Sequence, residues 1–248
     1  MPRANALKEI SIIKKIINEN CMLLNIENRK NLNTLSTFAL KEISEALAKA
    51  DKDSSIFSVI IYGGHKSFSI GSDLSHFKNK SSHEILNDPR LKYWKLIHNF
   101  KKPLIAAVNR FAIGSGCELA LSCDIIIASQ DCVFSHPEIL INLMPGAGGL
   151  KLMHALGKAR TVYCAMTAAQ ITSEEAFNSG LVSKIVPNEN TLSESIKIAQ
   201  GFNKKSMPAL LKIKQLSKII FTQQTTQFLD ENRKLFSTLF KKKMAKRS

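Results

Sequence analysis

The reading of this chain turns on one stretch: Ile105-Ala-Ala-Val-Asn-Arg-Phe-Ala-Ile-Gly-Ser-Gly-Cys-Glu-Leu-Ala-Leu-Ser-Cys-Asp-Ile-Ile-Ile-Ala128. It opens inside the uncharged run Leu104–Val108, short enough for a strand buried on both faces. Gly114-Ser-Gly116 then introduces a segment suited to a glycine-initiated helix over Gly114–Ser122. Asp124–Ala128 is a second short apolar run. A strand, a helix and a strand in immediate succession predict an α/β fold.

The alternation extends in both directions. Upstream, Ile10–Ile13 and Cys21–Ile26 suit a pair of strands. Leu35, Ala39, Ile43 and Leu47 recur every four residues, an amphipathic helix with Asn33 or Ser36 as its N-cap. Val59–Tyr62, closed by Gly63-Gly64, reads as a buried strand, and a helix is expected around Ile85–Phe100, ending before Pro103. Downstream of Pro145 the pattern is mostly helical, with Leu181–Val186 as the last strand. From Leu192 onward it is all helical.

At 248 residues the chain is long enough for a substantial core. Its longest apolar run is five residues, far short of a membrane span. The first residues mix Lys, Glu and Asn into apolar positions and lack a signal-peptide core, so a cytoplasmic location is expected. Five cysteines, an odd number with no Cys-x-x-Cys spacing, read as reduced core thiols. Lys+Arg 35 against Asp+Glu 20 gives +15, and Gly201–Ser248 alone holds twelve basic and two acidic residues. Such a block can meet polyphosphate, nucleic acid or an acidic surface, or be a solvated helical face. Its lysines at 241–243 and 246 have no interleaved aromatics, which argues against base stacking and nucleic acid.

Several chemistries are excluded by spacing. Gly114-Ser-Gly116 and Gly146-Ala-Gly148 lack the third glycine of a dinucleotide fingerprint, and Gly157-Lys158 is no P-loop. No Gly-x-Ser-x-Gly elbow occurs. The six histidines have no metal-ligand spacing, so no metal is expected; His136 reads as a positioned loop residue and Cys117 as core. Two carboxylates remain, Glu118 in an apolar helix and Glu138 in Ser135-His-Pro-Glu-Ile-Leu140. A carboxylate in an apolar segment needs a partner or a task. Spacing alone leaves open whether they cooperate or separately cap helices.

The stretch from Ile105 to Ala128 resembles the signature of the crotonase superfamily, most closely the enoyl-CoA hydratases. His136-Pro-Glu-Ile and Pro145-Gly-Ala-Gly-Gly149 continue the pattern in register. Lys66-Ser-Phe-Ser-Ile-Gly-Ser-Asp73 resembles an upstream loop of the family, and Glu174–Pro187 the block before its terminal helices. The resemblance implies a spiral of ββα units over residues 1–190 carrying an acyl-CoA site. A helical region over 191–248 would then serve homotrimer or dimer-of-trimers assembly. It implies hydration of trans-2-enoyl-CoA to 3-hydroxyacyl-CoA, as in fatty acid β-oxidation, with a CoA thioester as substrate and no cofactor. Glu118 and Glu138 would hold the water. The backbone N–H groups of Ile70 and Ser115 would form the oxyanion hole, and Ser69, Gly71, Ser72, Asp73 and Gly146 would line the substrate.

The chain departs from the family pattern at Ile70 (usually alanine), Ser115 and Asn142 (usually glycine), and Thr167-Ala-Ala-Gln170 (usually Thr-Gly). The closing Asp/Glu-Gly-x-x-Ala-Phe-x-Glu-Lys-Arg segment is missing, and a lysine-rich tail stands in its place. Rival readings are an isomerase or acyl-CoA hydrolase on the same fold, or a non-catalytic scaffold for CoA esters or proteins.

If the tail acts as an electrostatic cover for the roughly four negative charges of CoA, its contribution is screened over about 8 Å at physiological salt. Deleting residues 241–248 is then expected to raise KM for acyl-CoA at low salt and flatten its salt dependence. Steady-state kinetics across a salt series, with kcat nearly constant, is the check.

Overall fold

The structure, a computed structural model, describes residues 11–18, 20–27, 32–146, 149, 153–222 and 225–240. The lysine tail and residues 150–152 lie outside them. Six strands form the main sheet: β1 (Ser11–Ile17), β2 (Cys21–Glu27), β3 (Ser58–Tyr62), β4 (Leu104–Val108), β6 (Ile125–Ser129) and β9 (Lys184–Val186), in the order β1-β2-β3-β4-β6-β9. β1 pairs antiparallel with β2, and every later pair is parallel. A smaller sheet joins β5 (Phe111–Ile113), β7 (Val133–Ser135) and β8 (Ile171–Thr172).

The central strands alternate cleanly between two cores, as a period of two demands. Val59, Ile61, Leu104, Ala106 and Val108 pack on one face with α1 (Thr37–Lys52) and α3 (Arg90–His98). Ile60, Tyr62, Ile105, Ala107 and Ile127 meet α7 (Thr191–Phe202) on the other. Both faces are covered, which is why these strands carry no polar alternation. β1 is the exception. It is mostly exposed, carries Lys14 and Lys15 outward, and runs four residues beyond the expected Ile13 because β2 supplies a full antiparallel ladder.

α1 starts at Ser36, not Asn33: the Ser36 hydroxyl accepts from the Ala39 N–H at 3.1 Å. Its C-terminal carbonyls are met by buried Lys102, whose Nζ donates to Ala50, Asp53 and Ile56 carbonyls at 2.6–2.8 Å. The single helix expected over Ile85–Phe100 is two, α2 (Ser82–Leu86) and α3. Pro89 stands just ahead of α3 and lacks the N–H that would continue α2. Further helices are α4 (Ser115–Leu121), α5 (Gly157–Thr167), α6 (Ser173–Asn178), α8 (Met207–Thr222) and α9 (Thr225–Thr238). α5 ends on Ala168 in the left-handed region (φ 59°), where the family's glycine would be unstrained.

The basic C-terminal block is only partly a solvated face. Lys214 donates to the Lys102 carbonyl at 2.7 Å and pairs with Asp124 at 2.6 Å. Lys218 donates to the carbonyls of His98 and Phe100, both at 2.8 Å. Lys218 docks α8 on the C-terminal end of α3, where the helix dipole favours cations, and Lys214 ties it to the segments ahead of β4 and β6. Burial, with Lys214 nearby, brings the Lys218 pKa down to about 8. No described helix is long and apolar enough to cross a membrane.

Between α2 and α3, buried Asp88 accepts from Lys80 at 2.8 Å and from the Arg90 N–H at 2.9 Å, and meets His76 at 2.5 Å. Burial raises its pKa, but these bonds outweigh that and bring it from 3.8 to about 2. A depressed carboxylate stabilises the fold above its unfolded pKa, and the contribution disappears as pH falls toward 2. Asp88→Asn is expected to remove about 2 kcal/mol at neutral pH. It should also flatten the acid-side decline between about pH 4 and 2, followed by urea unfolding at successive pH values.

Candidate active site

Three loops meet at the C-terminal side of the small sheet. The segment from Phe68 to Ser72 runs beside β5: Phe68 N–H donates to the Asn109 carbonyl, Ser69 N–H to Phe111, and Ile113 N–H to Ser69, at 2.9–3.0 Å. β5 leads into Gly114, whose φ of 52° is the positive value the turn requires, so Ser115 begins α4 without left-handed strain. Gly114 N–H donates to the Ser135 carbonyl at 2.8 Å, which brings the end of β7, and Glu138 after it, to the start of α4.

The approach is close enough to exclude side chains. A Cβ on Gly116 would stand 2.4 Å from the Ser69 carbonyl oxygen. One on Gly71, at φ 97°, would meet the Ile113 oxygen at 2.8 Å, and one on Gly149 would meet the His136 ring at 2.4 Å.

A cavity of about 460 Å³ opens among these loops, lined by Ile70, Gly71, Ser72, Asp73, Ser115, Glu118, Glu138 and Gly146. Every residue expected from the sequence is there except Ser69. Ser69 stands behind the wall, fully buried, its hydroxyl donating to the Asn33 carbonyl at 2.6 Å and accepting from Gly71 N–H at 3.2 Å. The structure brings the two glutamates to one cavity from different elements. Glu118 lies in α4, 1% exposed, its Oε1 accepting from Gly149 N–H at 3.2 Å. Glu138 opens a 3-10 turn, its Oε1 3.5 Å from His136 Nδ1 and its buried Oε2 without a hydrogen-bond partner among the described residues. Burial opposes protonation of His136, but the neighbouring Cys117 sulfur and the Glu138 carboxylate outweigh it and raise the pKa of the imidazole. Gly149 serves both carboxylates, by its N–H to Glu118 and its close seat on His136.

The two backbone donors differ. Ser115 N–H, at the first position of α4, has no backbone acceptor among the described residues. Ile70 N–H donates to the Leu32 carbonyl at 3.3 Å, a long bond. The hydroxyls of Ser115 and Ser72 are 2.6 Å apart, and Arg90 donates to Ser72 at 2.7 Å and to the Leu35 carbonyl at 3.0 Å. Serine at 115 thus replaces the family's glycine with a hydrogen-bonded tie across the loops.

Two arginines, Arg90 and Arg233, line the same cavity and were not legible as site residues. In sequence, Arg233 looks like any other cation of the basic C-terminal block. Only the burial of Asn232, Arg233, Phe236 and Ser237 on one face of α9 separates it from them. Burial lowers the pKa of both; Arg90 falls to about 10, with Asp88 opposing the shift. Both remain cations at neutral pH.

The family model for enoyl-CoA hydratase/isomerase matches residues 16–248. A probable mitochondrial enoyl-CoA hydratase of Dictyostelium discoideum is 34% identical over 88% of this chain and 79% of its own length. The 2,3-dehydroadipyl-CoA hydratase of Escherichia coli K12 is 35% identical over 88% and 86%. Among solved structures, the enoyl-CoA hydratase subunit I of Geobacillus kaustophilus HTA426 superposes with a TM-score of 0.81 at 28% identity, covering 92% of this chain and 89% of that one. The chain belongs to the enoyl-CoA hydratase/isomerase family, and its fold is the crotonase-like α/β fold with helices at the C-terminal end.

Gly116→Ala is expected to force α4 away from the Ser69 backbone, cost about 1–3 kcal/mol, and lower activity by displacing Ser115 from Ile70. Gly201→Ala, in α7 with open space around it, should be neutral or stabilising. Thermal melts of the pair test the contrast.

Proposed function

We propose that this protein is an enoyl-CoA hydratase, a hydro-lyase that adds water across the double bond of a trans-2-enoyl-CoA. One observation carries the reading. Glu118 and Glu138, delivered by separate elements, face one cavity at whose rim the N-terminus of α4 presents an open N–H. The thioester oxygen sits against Ser115 N–H, where the helix start favours an anion. Ile70 N–H joins it by giving up its long bond to Leu32. Enolate charge builds on that oxygen as water attacks, and oriented donors there lower the barrier.

The two carboxylates share the proton work. One accepts a proton from water as the water oxygen bonds C3, and a proton is returned to C2, so the net change is addition of H and OH. Gly146 N–H helps orient the water. His136 holds Glu138 in place. These roles need no metal or redox cofactor.

The helical region after residue 190 serves assembly into a trimer or a dimer of trimers. Ile213, Leu216 and Leu235, each more than half exposed in the single chain, support that reading. Five free thiols support a reducing compartment, and we place the enzyme in the cytoplasm.

The purified protein should bleach the conjugated thioester absorbance of crotonyl-CoA or a longer enoyl-CoA without added metal or nucleotide. Glu118→Gln and Glu138→Gln should each lower kcat by about 10²-fold or more, with a smaller effect on KM. Absence of turnover from C4 to C16 would sink the reading. Loss confined to Glu138→Gln would reassign the protein to isomerase chemistry.

A further inference from the structure

We propose that the cavity takes an acyl-CoA whose acyl chain ends in a carboxylate, and that Arg233 is the group that receives it. The inference rests on the hydratase reading for the direction in which the ester lies.

The two cavity arginines are not in the same state. Arg90 is committed: its guanidinium donates to the Leu35 carbonyl and the Ser72 hydroxyl. Arg233 is 4% exposed, and among the described residues its Nε has no hydrogen-bond partner and no carboxylate stands within ion-pair distance of it. Its guanidinium lies over the ring of Phe236, the central carbon 5.6 Å from the ring centre. Phe236 packs edge-on against Phe77 at 5.9 Å, and Arg90 lies over Phe77 at 5.7 Å. The carboxylates that act on Arg233 at longer range, Asp88 and Glu118, are each hydrogen-bonded elsewhere.

A guanidinium carries five N–H donors and cannot escape its charge by deprotonation at neutral pH. Burying one without a partner is costly, and an anionic ligand that reaches it recovers that cost. The position fixes which anion. Glu118, Glu138 and Gly146 surround C2 and C3 when the thioester oxygen lies at Ser115. A Cβ on Gly146 would stand 3.4 Å from the Phe236 ring, and the Arg233 guanidinium lies over that same ring. An acyl chain that runs from the carbonyl past C3 and Gly146 to Phe236 therefore comes within reach of the Arg233 guanidinium. The walls between, among them Leu74, Phe77 and Leu143, suit methylenes. A terminal carboxylate would make a bidentate pair, whereas a terminal methyl would leave the cation buried and unmet.

The test is calorimetric titration of the protein with saturated, unreactive esters matched in length: adipyl-CoA against hexanoyl-CoA, and suberyl-CoA against octanoyl-CoA. We expect the carboxylated ester to bind at least about tenfold tighter at one of the two lengths. Arg233→Met should bring that ratio to within about twofold of one, and Arg233→Lys should leave an intermediate ratio. Thermal melts report whether each variant folds; if Arg233→Met does not, Arg233→Lys and the wild-type ratio decide. Equal binding, tighter binding of the methyl-ended ester, or a preference that survives Arg233→Met overturns the proposal. Equal weakening of all four esters by Arg233→Met also overturns it, since Arg233 would then serve the CoA moiety. Hydration is followed separately with 2-hexenoyl-CoA and 2,3-dehydroadipyl-CoA. A binding preference without turnover sinks the hydratase reading alone, and turnover without a preference sinks this proposal alone.

Discussion

The site depends on a contact in which no side chain fits: the first turn of α4 lies against the backbone of Ser69, with Gly116 at the crossing. Because a methyl group would overlap the Ser69 carbonyl, α4 and the Ile70 loop share a wall with no intervening layer. That single proximity places the Ser115 and Ile70 N–H groups at one rim and carries Glu118, two residues after Gly116, into the cavity. Gly114 turns the chain with its positive φ, and its N–H ties the same corner to β7, from which Glu138 follows. Close backbone approach is what glycine offers and every other residue denies.

Charge inside the cavity is the second constraint. Two carboxylates and two guanidinium groups are held away from bulk water, where an unmet charge is far more expensive than at the surface. Most of these charges are answered locally: Glu118 by Gly149 N–H, Glu138 by His136, Arg90 by a carbonyl and a hydroxyl. The arrangement keeps acid–base groups and donors fixed before substrate arrives, so little reorganisation is needed during reaction.

The C-terminal helices contribute to this interior although their composition suggests a solvated surface. Lys214 and Lys218 spend their charge on carbonyls at the ends of α3 and before β4. Lys95 in α3 pairs with Asp230 of α9 at 2.6 Å. These contacts lay α9 across the cavity, with Asn232 donating to the Pro145 carbonyl at 3.0 Å and Phe236 beside Gly146. A cation on a helix is a surface feature only when no carbonyl end lies beneath it.

The amino-acid sequence by itself determined the α/β alternation, the buried central strands, the α1 helix and the two glutamates. Those signals are local: runs of apolar residues, a four-residue repeat, carboxylates in apolar segments. The resemblance across Lys66–Asp73, Ile105–Ala128 and His136–Gly149 added the family. What lies at three-residue scale escaped: β5, β7 and β8 are too short to show a period, and the break at Pro89 was hidden inside an otherwise helical pattern. Only the tertiary structure decided that Glu118 and Glu138 share a cavity, that Ser69 stands behind its wall, and that Arg233 turns inward while Lys234 beside it stays exposed. The physical reason is the same in each case. Burial and partnership are properties of distance in space, and residues 118, 138 and 233 approach one another only after the sheet, the α4 crossing and the docking of α9 have formed.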